Sequence, residues 1–157
     1  MLETTICHIE KDGKWLMLLR NKKKNDLNEG KWVGIGGKRE PGETMEECCK
    51  REVLEETGLT LKALKFHGIV HFRSDKWEAE EMYVYTSDAF TGELNPDSSE
   101  GTLKWIPKEE ILSLRLWAGD RLFLEPLLKG GEMPEMTLRY EGDELIEVIG
   151  KAKNDRN

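Results

Sequence analysis

Residues 37–59 read GKREPGETMEECCKREVLEETGL, and both ends of a helix are written into them. Thr44 can accept the N–H three residues on, Glu47 completes a capping box, and Gly58 supplies the left-handed stop, so the pattern predicts a helix over 44–57. Met45, Cys49 and Val53, joined by Cys48, form its apolar stripe. Glu52, Glu55 and Glu56 stand at i, i+3 and i+4, a spacing that puts three carboxylates on one face with Cβ atoms ~6 Å apart. Such a face repels itself unless it is well solvated or gathers a cation. Oxygen donors select Mg²⁺ or Mn²⁺ over zinc, and His8, His67 and His71 form no cluster that would compete. Arg51, beside these acids, can orient one carboxylate through a bidentate pair and leave the others for a metal.

Just before the helix runs Gly34-Ile35-Gly36-Gly37-Lys38, whose backbone N–H groups and small profile permit close approach of a phosphate. Gly36, Gly37 and Lys38 are thereby candidate substrate contacts. Upstream, Thr4 to Glu10 alternates and Trp15 to Arg20 is apolar, with Asp12-Gly13 between them as a hairpin signal. Residues 21–43 form a glycine-rich loop with one short strand around 32–35. Downstream, 61–72, 80–87 and 103–106 read as strands. Pro107 opens a short helix to Leu114, 119–128 reads as another, and 136–140 with 145–149 as a hairpin about Glu141-Gly142-Asp143. Strands dominate around one strong helix, which predicts a single-domain α/β (α+β) chain over 1–150 with a flexible tail over 151–157.

At 157 residues the chain is long enough for one domain with a real core. Its net charge of −7 disfavours a purely electrostatic hold on a nucleic-acid backbone and excludes a histone-like role. The longest apolar run, Trp15 to Leu19, is far too short to span a bilayer. A cytoplasmic protein is expected, with neither a membrane nor a stable nucleic acid as partner. Cys7, Cys48 and Cys49 are odd in number and poorly spaced for bridging, which predicts reduced thiols that serve as packing groups. From Lys11 to Arg39 nine bases face three acids, so this segment carries +6 and the rest of the −7 chain carries −13. From Glu40 to Thr60 seven glutamates face only Lys50 and Arg51. A basic stretch followed by a carboxylate cluster suits an anionic ligand held through a divalent cation.

Gly37, Glu43, Arg51, Glu52, Val53, Glu55, Glu56, Gly58 and Leu59 fill all nine fixed positions of the 23-residue pattern G-x5-E-x7-R-E-U-x-E-E-x-G-U, U being aliphatic. In this the chain resembles the Nudix hydrolases. The resemblance implies a mixed β-sheet between α-helices, a loop-helix-loop metal site, and water attack on a nucleoside diphosphate linked to a further group. It implies that Glu52, Glu55 and Glu56 hold Mg²⁺, or Mn²⁺ in its place, that Gly37 adds its backbone carbonyl, and that Glu43 orients the helix by pairing with Arg51. Glu100, in the loop before Leu103, stands where the family places a further carboxylate ligand; its other reading is an ordinary loop acid.

The likeness extends over most of the chain to the MutT-type 8-oxo-dGTP diphosphatases, through Gly30 to Lys38 and through Leu116-Trp117-Ala118-Gly119-Asp120. It implies that Trp117 stacks on the base and Asp120 reads its edge. Two positions depart from the animal members, which have an asparagine where this chain has Val33 and an aspartate where it has Gly119; the segment looks more like bacterial members. The function so implied is Mg²⁺-dependent hydrolysis of 8-oxo-dGTP to 8-oxo-dGMP and diphosphate, which sanitises the nucleotide pool and serves DNA repair. Attack falls on the β-phosphorus, and Lys38, Arg39 and Lys22 to Lys24 neutralise the nucleoside triphosphate, in a monomer or homodimer. The rival readings are another Nudix substrate (a dinucleoside polyphosphate, ADP-ribose or an RNA 5′-triphosphate end) and a nucleotide sensor without turnover.

Overall fold

Trp15 to Leu19 is apolar at every position, so successive side chains enter opposite faces of the sheet and cover both. The computed structural model describes residues 1–24 and 26–151. The elements run β1 (Leu2–Lys11), β2 (Lys14–Arg20), β3 (Trp32–Val33), β4 (Ile35–Lys38), α1 (Met45–Thr57), β5 (Thr60–Leu61), β6 (Lys65–Ser74), β7 (Glu80–Ser87), β8 (Phe90–Thr91), β9 (Asp97–Ser98), β10 (Gly101–Pro107), a 3-10 helix (Lys108–Ser113), α2 (Asp120–Leu128), β11 (Glu135–Glu141) and β12 (Glu144–Lys151). The main sheet has the order β12-β11-β6-β7-β1-β2-β10-β9, with β3 paired to β2 and β4 to β1. The β1–β7 and β6–β11 pairings are parallel and the others antiparallel, so the sheet is mixed.

One face carries Cys7, Ile9, Leu16, Leu18, Ile35, Tyr85 and Leu103 against Cys49 and Val53 of α1. The other carries Trp15, Met17, Val70, Met82, Val84 and Leu138 against Phe123, Leu124 and Leu127 of α2. Odd and even positions of β1, β2 and β7 thus serve different helices, as strands buried on both faces must. This is the mixed sheet between helices that the resemblance implied. All three cysteines are free and buried.

The first hairpin forms as its turn residues predict, with Lys11 opposite Lys14. Other boundaries move. The single strand expected over 61–72 is broken, because the Ser87 hydroxyl donates to the Ala63 carbonyl at 2.6 Å and the Lys62 N–H donates to Ala89 O at 2.7 Å, turning 62–64 away from the ladder. β5 pairs instead with β8 in a separate two-stranded sheet, and β8 and β9 were not foreseen. The strand expected near 32–35 splits at Gly34, and the short helix after Pro107 is a 3-10 helix. On α1, Met45 is only partly buried, and Glu56 and Thr57 join the buried side. Of the expected tail, Lys151 ends β12 and residues 152–157 lie outside the described part. Among the described residues no helix is long and apolar enough to cross a membrane.

Candidate active site

The helix that carries the acids is fixed at both ends. Thr44 Oγ1 accepts from the Glu47 N–H at 3.0 Å, Glu47 returns the bond to the Thr44 N–H at 2.8 Å, and Gly58 closes the helix at φ 82°. Arg51 is the hub of the acid face. Its guanidinium donates to both oxygens of Glu43 at 3.0 and 2.8 Å, to Glu52 at 2.7 Å, to Glu55 at 3.2 Å and to the Lys38 carbonyl at 3.0 Å. Hydrogen bonds from Arg51 and then from the Glu40 N–H hold the Glu43 carboxyl down at about 2. The Glu43–Arg51 pair therefore forms and ties the loop before α1 to the middle of the helix.

Strand β4 approaches β1 and α1 more closely than any side chain would allow. A Cβ on Gly36 would lie 1.8 Å from the Thr5 carbonyl oxygen, and one on Gly37 would lie 2.4 Å from the Glu52 carboxyl carbon. The Gly37 carbonyl accepts from the Cys48 thiol at 3.7 Å, and Cys48 Sγ lies 3.6 Å from Thr5 Oγ1. Lys38 ends β4 with its side chain exposed.

Glu52, Glu55 and Glu56 share the helix but not an environment. Glu55 is 58% exposed at its side chain, Glu52 only 17%. Glu56 is buried, and both its carboxyl oxygens lack a hydrogen-bond partner among the described residues. Burial first, and then the neighbouring Glu100, push Glu56 up to about 9. The neighbouring Glu56 carboxyl, and after it Arg20 and Lys23, favour the charged form of Glu100 and lower it against its burial. Arg20 Nη1 lies 3.3 Å from Glu100 Oε2, and Lys23 Nζ 3.4 Å from its Oε1. Burial also raises Glu52, against the pull of Arg51.

As placed, no three Asp, Glu, His or Cys side chains among the described residues close around a single point, with Glu52 drawn towards Arg51. The donor set nevertheless fits a hard divalent cation. A buried carboxyl with two orphaned oxygens, a second carboxylate against a bare glycine, and an adjacent backbone carbonyl supply oxygen ligands only.

On the other side of β4 and β1 lies a cavity of about 240 Å³. Gly36, Gly37 and Arg20 line it together with Val33, Asn28, Trp117, Asp120 and Tyr140. Trp117 donates its Nε1–H to Asn28 Oδ1 at 2.7 Å, meets the Tyr140 ring edge-on at 5.2 Å, and carries Lys31 Nζ 4.3 Å from its ring centre. Burial pushes Asp120 up to about 7, against the opposing pull of the Trp117 backbone and of Lys31. Gly119, where the animal pattern has an aspartate, donates its N–H to Tyr140 Oη at 2.8 Å. A Cβ there would lie 2.7 Å from Leu138 Cδ1 and 2.8 Å from that hydroxyl. Asn28, Lys31 and Tyr140 were not read from the sequence as site residues. They lie 89, 86 and 23 positions from Trp117, and no local pattern links them to it.

A family model described as NUDIX domain matches residues 2–127. The chain is 34% identical over 113 residues to an oxidized purine nucleoside triphosphate hydrolase of Danio rerio, covering 71% of this chain and 72% of that one. It is 31% identical over 140 residues to the Nudix hydrolase YvcI of Bacillus subtilis, covering 87% and 85%. The crystal structure of the MutT protein from Bacillus halodurans superposes with a TM-score of 0.86 at 29% identity, covering 96% of this chain and 98% of that one. The chain belongs to the Nudix hydrolases, enzymes that cleave pyrophosphate bonds in nucleotide substrates.

Proposed function

We propose that the protein hydrolyses oxidised purine nucleoside triphosphates, 8-oxo-dGTP first among them, to the monophosphate and diphosphate. The observation that carries this reading is one cavity lined both by Trp117 and Asp120 and by Gly36 and Gly37, with Gly37 packed against Glu52 of α1. In this reading the base stacks on Trp117, held from below by Asn28 and Lys31, and the triphosphate runs past Gly36, Gly37 and Lys38 towards α1. An indole face suits any purine. Asp120 confers the choice among them, because a carboxyl that titrates near neutrality can donate or accept towards an edge whose donor-acceptor order has changed. A mismatched purine leaves a buried polar group unpaired, at about 1–3 kcal/mol.

Glu52 and Glu56, with the Gly37 carbonyl and with Glu55 and Glu100 nearer solvent, would hold Mg²⁺ or Mn²⁺. Bound there, the ion neutralises phosphoryl charge and lowers the pKa of a water. Arg51 keeps Glu43, Glu52 and the Lys38 carbonyl in register, and Lys23 and Arg20 hold Glu100. Water attacks the β-phosphorus, the bond from that phosphorus to the oxygen bridging it to the α-phosphate breaks, the nucleoside monophosphate leaves with the bond's electrons, and the water oxygen stays in the diphosphate. The pool-sanitising role, and a cytoplasmic place for it, follow from that substrate.

The test is kcat/KM with Mg²⁺ for 8-oxo-dGTP beside dGTP, 2-hydroxy-dATP, ADP-ribose and diadenosine tetraphosphate, with products identified by mass. A preference of about tenfold or more for 8-oxo-dGTP with diphosphate released, about the worth of one unpaired polar group, is the expected result. A higher value for ADP-ribose or the dinucleotide overturns the substrate, and binding without turnover of any of them makes the protein a sensor.

A further inference from the structure

The loop between β6 and β7 holds a tryptophan that the substrate reading does not use. Trp77 is 47% exposed and lines the same cavity as Trp117. Of the large apolar side chains left in solvent (Met1, Leu54, Phe66, Trp77, Leu122, Val148 and Ile149), it alone among the described residues borders that cavity. A half-exposed indole at the mouth of an apolar cavity is surface that a flat ligand can cover.

The loop that presents it is a built turn. Ser74 Oγ accepts from the N–H groups of Lys76 at 3.0 Å and Trp77 at 3.2 Å. Asp75 accepts the Gly142 N–H at 3.1 Å, which joins the loop to the β11–β12 turn, and the Met1 ammonium lies 3.3 Å from Glu78. Tyr140, two residues before Gly142, stands opposite Ser74 in the β6–β11 pairing and touches Trp117 edge-on. The two tryptophans therefore belong to one connected frame.

The wall around Trp77 is mixed in charge, with Arg73 beside two acids. Glu78 and Glu80 line the cavity beside Trp77, Glu80 accepting from Thr4 Oγ1 at 2.6 Å. Arg20, bonded to Glu100, and the glycine strand, packed on Glu52, draw the triphosphate towards the candidate metal ligands, which leaves the base for the two tryptophans.

We propose that Trp77 is a second aromatic contact for the purine base, closing on it at the cavity mouth while Trp117 holds it within, and that it selects for large flat bases. This rests on the substrate reading above. The experiment compares wild type, Trp77→Ala and Trp77→Phe with 8-oxo-dGTP at saturating Mg²⁺, with melting temperature as the check on folding. Trp77→Ala should raise KM about tenfold, the order of one stacked base, with most of the loss in KM rather than kcat, and Trp77→Phe should recover most of it. A KM for Trp77→Ala within about twofold of wild type overturns the contact, since the loss of a stacked base exceeds that. So does an equal loss in Trp77→Phe, which would mark a role in loop structure and not in stacking. If wild type itself does not turn over 8-oxo-dGTP, the substrate reading falls first and the purine partner of Trp77 falls with it.

Discussion

Arg51 grips Glu43 with two prongs of its fork, Nε to Oε2 at 3.0 Å and Nη2 to Oε1 at 2.8 Å, while its Nη1 reaches Glu52 at 2.7 Å. One guanidinium thus sets the loop before α1, the helix and a candidate metal ligand against one another. An ammonium carries the same charge but cannot make the planar pair and reach Glu52 at once.

Arg51→Lys should therefore lower kcat/KM by about 10- to 100-fold and raise the Mg²⁺ concentration needed for half-activation, as loss of an outer-shell partner does. Magnesium titrations of the initial rate check this. An unchanged half-activation concentration would show that the fork does not position a ligand.

Glu56 combines burial, two oxygens without a hydrogen-bond partner among the described residues, and a carboxylate neighbour. With its folded value raised to about 9, above its ordinary value of 4.5, it costs the metal-free protein stability as pH rises from about 4.5 towards 9. Glu56→Gln removes that cost together with the charge a metal needs. The variant should lose most turnover yet melt higher than wild type in chelator at pH 7 to 8, with the gap shrinking towards pH 4.5. Calorimetry with and without Mg²⁺ checks it. Wild-type rates, or a lower melting point in chelator, would contradict the assignment.

The helix and its acids were legible because every determinant is local: a capping box within four residues, a left-handed stop, and three glutamates within one turn. The two-sided sheet was less so, since alternation alone does not say which helix each face serves. Glu52, Glu55 and Glu56 look equivalent along the chain, and only the fold separates a buried Glu56 from an exposed Glu55. The frame around Trp117 was illegible for the same reason. Asn28, Lys31 and Tyr140 come from distant segments, and Ser87 breaks the expected 61–72 strand from 24 residues away.

Gly119 shows what a departure from a family pattern can mean. Its place is taken by Tyr140, whose hydroxyl accepts the Gly119 N–H, so the aspartate of the animal pattern has no room here. Gly119→Asp should destabilise the fold by about 1–3 kcal/mol, as overpacking does. Denaturant unfolding measures it. A neutral result would mean that the Tyr140 ring gives way, and the base end of the cavity would then be more plastic than its contacts imply.

His8 offers a pH dependence remote from the acids of α1. It is 1% exposed, stacked on Trp15 with ring centres 4.4 Å apart, and neither ring nitrogen has a hydrogen-bond partner among the described residues. Burial, and after it the charge of His67, lower it from 6.5 to about 3. A histidine whose folded value is depressed contributes stability that is complete above its unfolded value and drains away as pH falls from there towards the folded one. The loss approaches about 1.4 kcal/mol per pH unit at its steepest. His8→Phe keeps a flat ring on Trp15 and cannot be charged. Its melting temperature should fall less than wild type's between pH 6.5 and pH 4, while the two curves run parallel above pH 7. Parallel curves across the whole range would mean that water reaches His8 in solution and that its burial does not control the acid limb.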